Sequence, residues 1–166
     1  AVRAALDFAI ENMIRDGGWI PKGRKAEDGT LPDKYHLQEM NSSSYSKRTE
    51  QNIIDSDGTV IISHGKLTGG SLLTQELAVK HNKPCIHLDI NKTKIIDAIE
   101  SLNAWIKKNK IEILNVAGPR ASKDESIYKV TKDIFEDDIS LYEPEDGCFC
   151  VPIDRLKELK KRRSED

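Results

Sequence analysis

Apolar residues at the start of the chain recur at helical steps. Val2, Leu6, Ala9, Ile10, Met13 and Ile14 form one stripe, and it stops at Gly17-Gly18. The chain therefore opens on a helix. Further on, Thr59-Val60-Ile61-Ile62-Ser63 is a short β-branched run, and a Gly-containing turn separates it from a helix predicted from about Ser71 to His81. The pattern then repeats twice. Cys85-Ile86-His87-Leu88-Asp89 precedes a helix from about Thr93, with Ile95, Ile96, Ile99, Leu102 and Ile106 on one stripe. The run from Ile111 to Val116 precedes a helix opened by Ser122, with Glu125 placed for a capping box. Strands alternating with helices predict an α/β fold: a Rossmann-like three-layer domain with a mainly parallel sheet and right-handed crossovers. Such domains usually begin on a strand, so a first strand is expected ahead of Ala1.

Residues 15–58 break the alternation. They are mostly turn formers and polar residues, and connections of that length tend to be functional or disordered. Trp19-Ile20 suggests a brief strand. Ser44 to Asp55 reads as a helix that sets Tyr45, Arg48 and Asn52 along one face. At the other end, an acidic, turn-rich stretch from Asp133 to Asp146 precedes a Lys/Arg-rich helix candidate from Ile153 to Arg163. The expected division is a ligand-binding domain over residues 1–136 and an acidic-then-basic extension over 137–166.

Composition narrows the function. In 166 residues, 37% are hydrophobic, enough for one core, and 26 Lys+Arg against 28 Asp+Glu leave a net charge of −2. No global field draws such a chain to nucleic acid or a membrane, so any basic site must be local. No run approaches the length of a membrane span, and no signal-peptide pattern opens the chain, which suggests a cytoplasmic protein. Cys85, Cys148 and Cys150 are too sparse for a disulfide framework. Cys85 and His87 share a strand face and Cys148 and Cys150 are close, but a Cys in a parallel strand is ordinarily core, so no protein-bound metal is expected.

In a parallel α/β sheet, ligands sit outside the carboxyl ends of the strands, and two segments qualify. Thr68-Gly69-Gly70-Ser71 follows the first clear strand, and its paired glycines could cradle a phosphate at a helix N-terminus or simply make the turn into the helix. Asn115, Gly118 and Arg120 follow or close the third strand, where Arg120 suits phosphate or carboxylate, or merely solvent at a helix entry. The long connection adds Trp19, Lys22, Arg24 and Lys25. They read either as an anion clamp with a stacking ring, or as a core Trp beside solvated cations. Glu76 falls about one and a half turns into the glycine-led helix, where a carboxylate could assist hydrolysis or stand exposed.

With those residues in hand, the chain resembles the molybdenum carrier family, related to the molybdenum cofactor carrier of green algae and to lysine-decarboxylase-like, cytokinin-activating nucleotide enzymes. The resemblance rests on Ala4-Ala5-Leu6-Asp7, Gly17-Gly18-Trp19 with Pro21-Lys22-Gly23-Arg24, Arg48-Thr49-Glu50 with Asn52, Asp55-Ser56-Asp57-Gly58, Leu67-Thr68-Gly69-Gly70-Ser71, and Asn115 through Ser122. The enzyme relatives carry a Pro-Gly-Gly-x-Gly-Thr-x-x-Glu motif. Here Thr68 replaces the Pro and Leu72-Leu73 replaces the second Gly-Thr, leaving only the paired glycines and Glu76.

The resemblance implies a carrier or storage protein for a phosphorylated, ring-bearing ligand, molybdenum cofactor or molybdopterin, held without turnover. Gly69, Gly70, Ser71 and Thr68 would hold the phosphate. Arg120, Arg48, Lys22 and Arg24 would neutralise it, Trp19 or Asn115 would contact the ring, and Gly118 and Asn52 would complete the set. The alternatives are a nucleoside monophosphate N-glycosidase using Glu76 and Arg48, and a nucleotide sensor. A homo-oligomer is expected, with a small ligand as partner.

Overall fold

The computed structural model describes residues 1–141, with side chains to residue 137. The first helix, α1 (Val2–Glu11), ends before its apolar stripe does. Asn12 returns its side-chain amide to the Phe8 carbonyl at 2.8 Å, and Met13 takes a left-handed φ of 54°. Ile14 is nonetheless buried.

The long connection is folded rather than open chain. Two-residue strands β1 (Trp19–Ile20), β2 (Lys25–Ala26), β3 (Gly29–Thr30) and β4 (Gln38–Glu39) pair as a parallel β1–β4 and an antiparallel β2–β3. Ile20, Leu31 and Tyr35 form a small core there, with Leu6 and Ile10 of α1 packed against it. Arg24 closes the structure. Its guanidinium donates to the carbonyls of Leu31, Pro32, Tyr35 and Leu37 at 3.0 to 3.2 Å. Asp16 adds a second tie, accepting the His36 backbone N–H at 2.9 Å and sharing a 2.6 Å hydrogen bond with its Nδ1.

Helix α2 (Tyr45–Ile54) is capped by the Ser44 hydroxyl, which accepts the Lys47 N–H. Then come β5 (Gly58–Ser63), α3 (Gly69–Lys80), β6 (Cys85–Asp89), α4 (Ile95–Asn109), β7 (Leu114–Ala117) and α5 (Ile127–Leu141). Strands β6, β5 and β7 lie in that order in one parallel sheet, with Ile61 opposite both His87 and Ala117. Every residue of β5 is buried, as a central parallel strand requires. Val60 and Ile62 join the main core with Phe8 of α1, Ile99 and Leu102 of α4 and Phe135 of α5. On the opposite face, Ile53 of α2 and Leu77 and Ala78 of α3 pack together with Cys85. Helices therefore cover both faces of the sheet, and the α/β, Rossmann-like three-layer reading of the sequence holds.

Three boundaries differ from the sequence expectation. Strand β7 begins at Leu114 rather than Ile111, because the Asp57 carboxylate takes the N–H groups of Glu112 (3.0 Å) and Ile113 (2.7 Å) before the strand can use them. Helix α5 begins at Ile127 rather than Ser122, and the expected capping box does not form. The Ser122 hydroxyl instead donates to Glu27, and residues 121–126 form turns. The stretch from Asp133 opens as helix rather than turn, since Ile134 and Phe135 are drawn into the core. Cys148, Cys150 and the candidate helix at 153–163 lie outside the described residues.

Gly58 shows how tightly the entry to β5 is packed. A Cβ there would fall 2.5 Å from Ile111 Cδ1 and 2.8 Å from the Trp105 ring. That explains one of the motif glycines without any ligand.

Candidate functional site at the carboxyl end of the sheet

The chain leaves β5 at Ser63 and enters α3 through Thr68, an extended N-cap whose side chain makes no capping bond. Gly69 then opens α3 with a left-handed φ of 52°, a conformation that favours glycine. The first-turn N–H groups of a helix have no intrahelical acceptor, and here neither the N-cap side chain nor an acidic first-turn residue compensates them. Thr68, Gly69 and Gly70 are exposed, whereas Ser71 is buried, so the two glycine amides form the open lip of the turn.

Cations gather beside it. Lys123 Nζ lies 3.9 Å from where a Gly69 Cβ would be. The turn that carries Lys123 also carries Arg120, because the N–H groups of Lys123 (2.9 Å) and Asp124 (3.1 Å) both donate to the Arg120 carbonyl. The Arg120 guanidinium stands 5.2 Å from the centre of the Tyr45 ring, which brings it to the start of α2. Arg48, one turn further along α2, completes the group. Burial pushes its guanidinium below its usual pKa, Tyr45 opposes that shift, and the nearby positive charge of Arg120 adds to it. Its Nε is buried and has no hydrogen-bond partner among the described residues.

His64, the first residue after β5, shares a 2.6 Å Nδ1 hydrogen bond with Asp124. Burial works against the Asp124 carboxylate, yet hydrogen bonds from His64 and Ser126 hold its pKa below the usual range. Ser63 Oγ at the end of β5 lies 2.7 Å from Nε2 of His87 on the neighbouring strand, where Asp89 accepts the Gly65 N–H at 2.8 Å. Together these bonds fix the loop between β5 and α3.

Of the residues singled out in the sequence, Thr68, Gly69, Gly70, Ser71, Arg48 and Arg120 belong to this region. Gly118 borders it for a steric reason: a Cβ there would sit 2.4 Å from the Ile62 carbonyl oxygen, so only glycine lets the end of β7 pass so close to β5. Others are engaged elsewhere. The four carbonyls claimed by Arg24 make it the clasp of the connection. Asn52 Oδ1 accepts the Trp19 N–H at 2.8 Å, and the Trp19 indole donates to Asp55 at 2.7 Å, so both residues join the connection to α2. Lys22 is exposed and ties its loop through its backbone N–H to the Ser42 carbonyl. Asn115 pairs in register with Thr59 near the amino end of β5 and donates to its hydroxyl at 3.1 Å, far from the glycine turn. Glu76 is exposed, about two turns past Gly69.

Lys123, His64 and Asp124 emerge only from the structure, which also sets Tyr45, expected on one helix face with Arg48, against Arg120. The sequence did carry a signal for the first. Lys123 follows Arg120 by three residues, so a turn there brings both cations to one side. Cys85, the described cysteine, is half-buried, and burial pushes its thiol up to about 11, consistent with a packing role. Among the described residues, no group of three or more His, Cys, Asp or Glu is placed to hold a metal ion. No helix among them is long and apolar enough to cross a membrane.

Comparison with known proteins agrees with this architecture. The crystal structure of a protein named "Putative molybdenum carrier protein", from Syntrophus aciditrophicus SB, is 55% identical in sequence, with a TM-score of 0.81 over 82% of this chain and 86% of that one. No curated protein sequence matches the chain. Residues 1–139 match the Circularly permutated YpsA SLOG family. With nearly the whole described chain covered by that match, and a solved relative at more than half identity, the chain belongs to the circularly permutated YpsA SLOG family.

Proposed function

We propose that the chain binds a phosphorylated, ring-bearing ligand at the Gly69 turn and carries it without turnover, the ligand being molybdenum cofactor or molybdopterin. The observation that carries this reading is the Arg48–Arg120 pair. Two guanidiniums are held near each other, one with a buried Nε that has no partner among the described residues, and the turn that carries Arg120 also carries Lys123, which lies beside a helix N-terminus whose first N–H groups lack a capping side chain. A charge held partly out of water beside a like charge, as Arg48 is beside Arg120, is costly unless an anion joins them. Lys123 beside Gly69 adds a third positive charge. The name of the Syntrophus relative supports molybdenum as the cargo.

Calorimetric titration with molybdopterin and with a panel of nucleoside monophosphates tests the reading. Molybdopterin is expected to bind. Arg120→Ala should weaken that binding by roughly 1.5 to 3 kcal/mol, the worth of a charge-assisted hydrogen bond. Folding should be unaffected, since Arg120 is exposed. Clear binding of nucleoside monophosphates with none of molybdopterin would overturn the carrier reading.

A further inference from the structure

We infer that His64 contacts the bound anion through Nε2 and that Asp124 is the residue that positions it, so that binding draws a proton onto the imidazole. The inference rests on the anion site proposed above, and it adds a residue and a proton to that site.

Three observations carry it. First, His64 stands where ligands gather in such folds, immediately after the central strand and on the loop that leads to Gly69. Second, its Nδ1 is committed to Asp124 at 2.6 Å, and the two side chains are 26% and 14% exposed. An ionised carboxylate there accepts the Nδ1 proton and leaves Nε2 as the nitrogen a ligand can reach. Nε2 has no hydrogen-bond partner among the described residues. Third, Asp124 belongs to the same turn as Arg120 and Lys123, so the backbone that presents the cations also orients the imidazole.

A staple between two loops would need only the Nδ1 bond. An imidazole with one nitrogen oriented and the other available, beside a cationic turn, is suited to donating to an anion. It can do so at Nε2 while Nδ1 bonds Asp124 only when both nitrogens are protonated.

Other ionisable groups surround the pair. Lys123 flanks Asp124, and Lys66 lies two residues beyond His64. Asp89 and His87 on β6 hold the same loop through Gly65 and Ser63. Asp124 also faces the Ala1 amino group, which burial lowers to about 6 while Asp124 and Glu27 oppose that shift. A proton taken up on binding must therefore be traced to its residue.

Sulfate is the probe, because it does not titrate near neutral pH. Calorimetry in buffers of different ionisation enthalpy should show proton uptake by the unmodified protein, with affinity falling roughly tenfold between about pH 6 and pH 8. His64→Gln, whose amide can still donate to Asp124, should bind sulfate without uptake. Asp124→Asn should reduce the uptake. NMR of the His64 ring in the unmodified protein should show its titration moving to higher pH when sulfate is added. Sulfate binding without proton uptake, or uptake that persists in His64→Gln, would overturn the role of His64 and leave the anion site standing. If neither sulfate nor molybdopterin binds, the anion site fails and His64 fails with it.

Discussion

Arg24, in the folded connection between α1 and α2, is surrounded by acceptors, whereas Arg48 has an Nε with none among the described residues. Four carbonyls receive the Arg24 guanidinium, and Asp33 lies 3.6 Å from its Nε. Arg48 is held partly out of water, and Arg120 is near enough to disfavour its charge. The two residues are chemically identical. What separates them is whether the fold itself satisfies the guanidinium, since an arginine whose donors are met locally is part of the architecture. One whose buried donor is left open beside another cation destabilises the fold, and proteins retain such groups where they serve a site.

The contrast breaks most sharply at Arg24. Arg24→Ala would remove the donor that four carbonyls share, of which those of Pro32 and Tyr35 keep the N–H groups of Tyr35 and Leu37, and it would loosen the small core around Leu31 and Tyr35. We expect a loss of about 3 kcal/mol, read as a lower urea midpoint, from removing hydrogen bonds to a charged donor. If the midpoint does not move, the clasp is not what holds the connection, and Arg24 becomes available to a ligand.

The same experiment on Arg48 should point the other way. Arg48→Met removes a desolvated charge while keeping most of the side-chain volume. Stability without ligand should then stay level or rise by up to about 1 kcal/mol, since a half-buried charge with an unpartnered Nε is replaced by an apolar side chain. Affinity for the anion should fall at the same time, as calorimetry would show. A protein destabilised to the same degree as Arg24→Ala would mean that Arg48 has a structural partner, and the distinction between the two arginines would collapse.

Much of this frame was legible in the sequence because β5, β6 and the helices that follow them carry strong periods. An all-buried strand reads as an unbroken β-branched run, and α4 reads as one apolar stripe. The connection was not legible, because two-residue strands have no period to detect, and its hydrophobic residues are too far apart to reveal Ile20, Leu31 and Tyr35 as one core. Its cations were misleading for a related reason. Gly23-Arg24-Lys25 has the composition of an anion clamp, and composition cannot show that four carbonyls fold back onto Arg24. Asn115 was misjudged by position along its strand: β7 starts late, so a residue near the run's end in sequence lies near the strand's start in space. The glycine turn and Arg120 lie past the carboxyl ends of β5 and β7, as strand order alone leads one to expect. His64 and Asp124 are sixty residues apart and meet only when β5 and β7 pair.

The smallest effect separates a carrier from a hydrolase at this turn. Glu76 shares α3 with the glycine pair, and in an N-glycosidase a carboxylate there would have to reach the ribose. In the structure Glu76 is exposed and about two turns from Gly69. Glu76→Gln should therefore leave molybdopterin affinity within about 0.3 kcal/mol of the unmodified protein, the ordinary range for a surface substitution. Incubation of either protein with nucleoside monophosphates should yield no free base. Free base that appears with the unmodified protein and disappears with Glu76→Gln would make Glu76 a catalytic residue. The Arg48–Arg120 pair would then be a holder of a substrate phosphate rather than of a carried ligand.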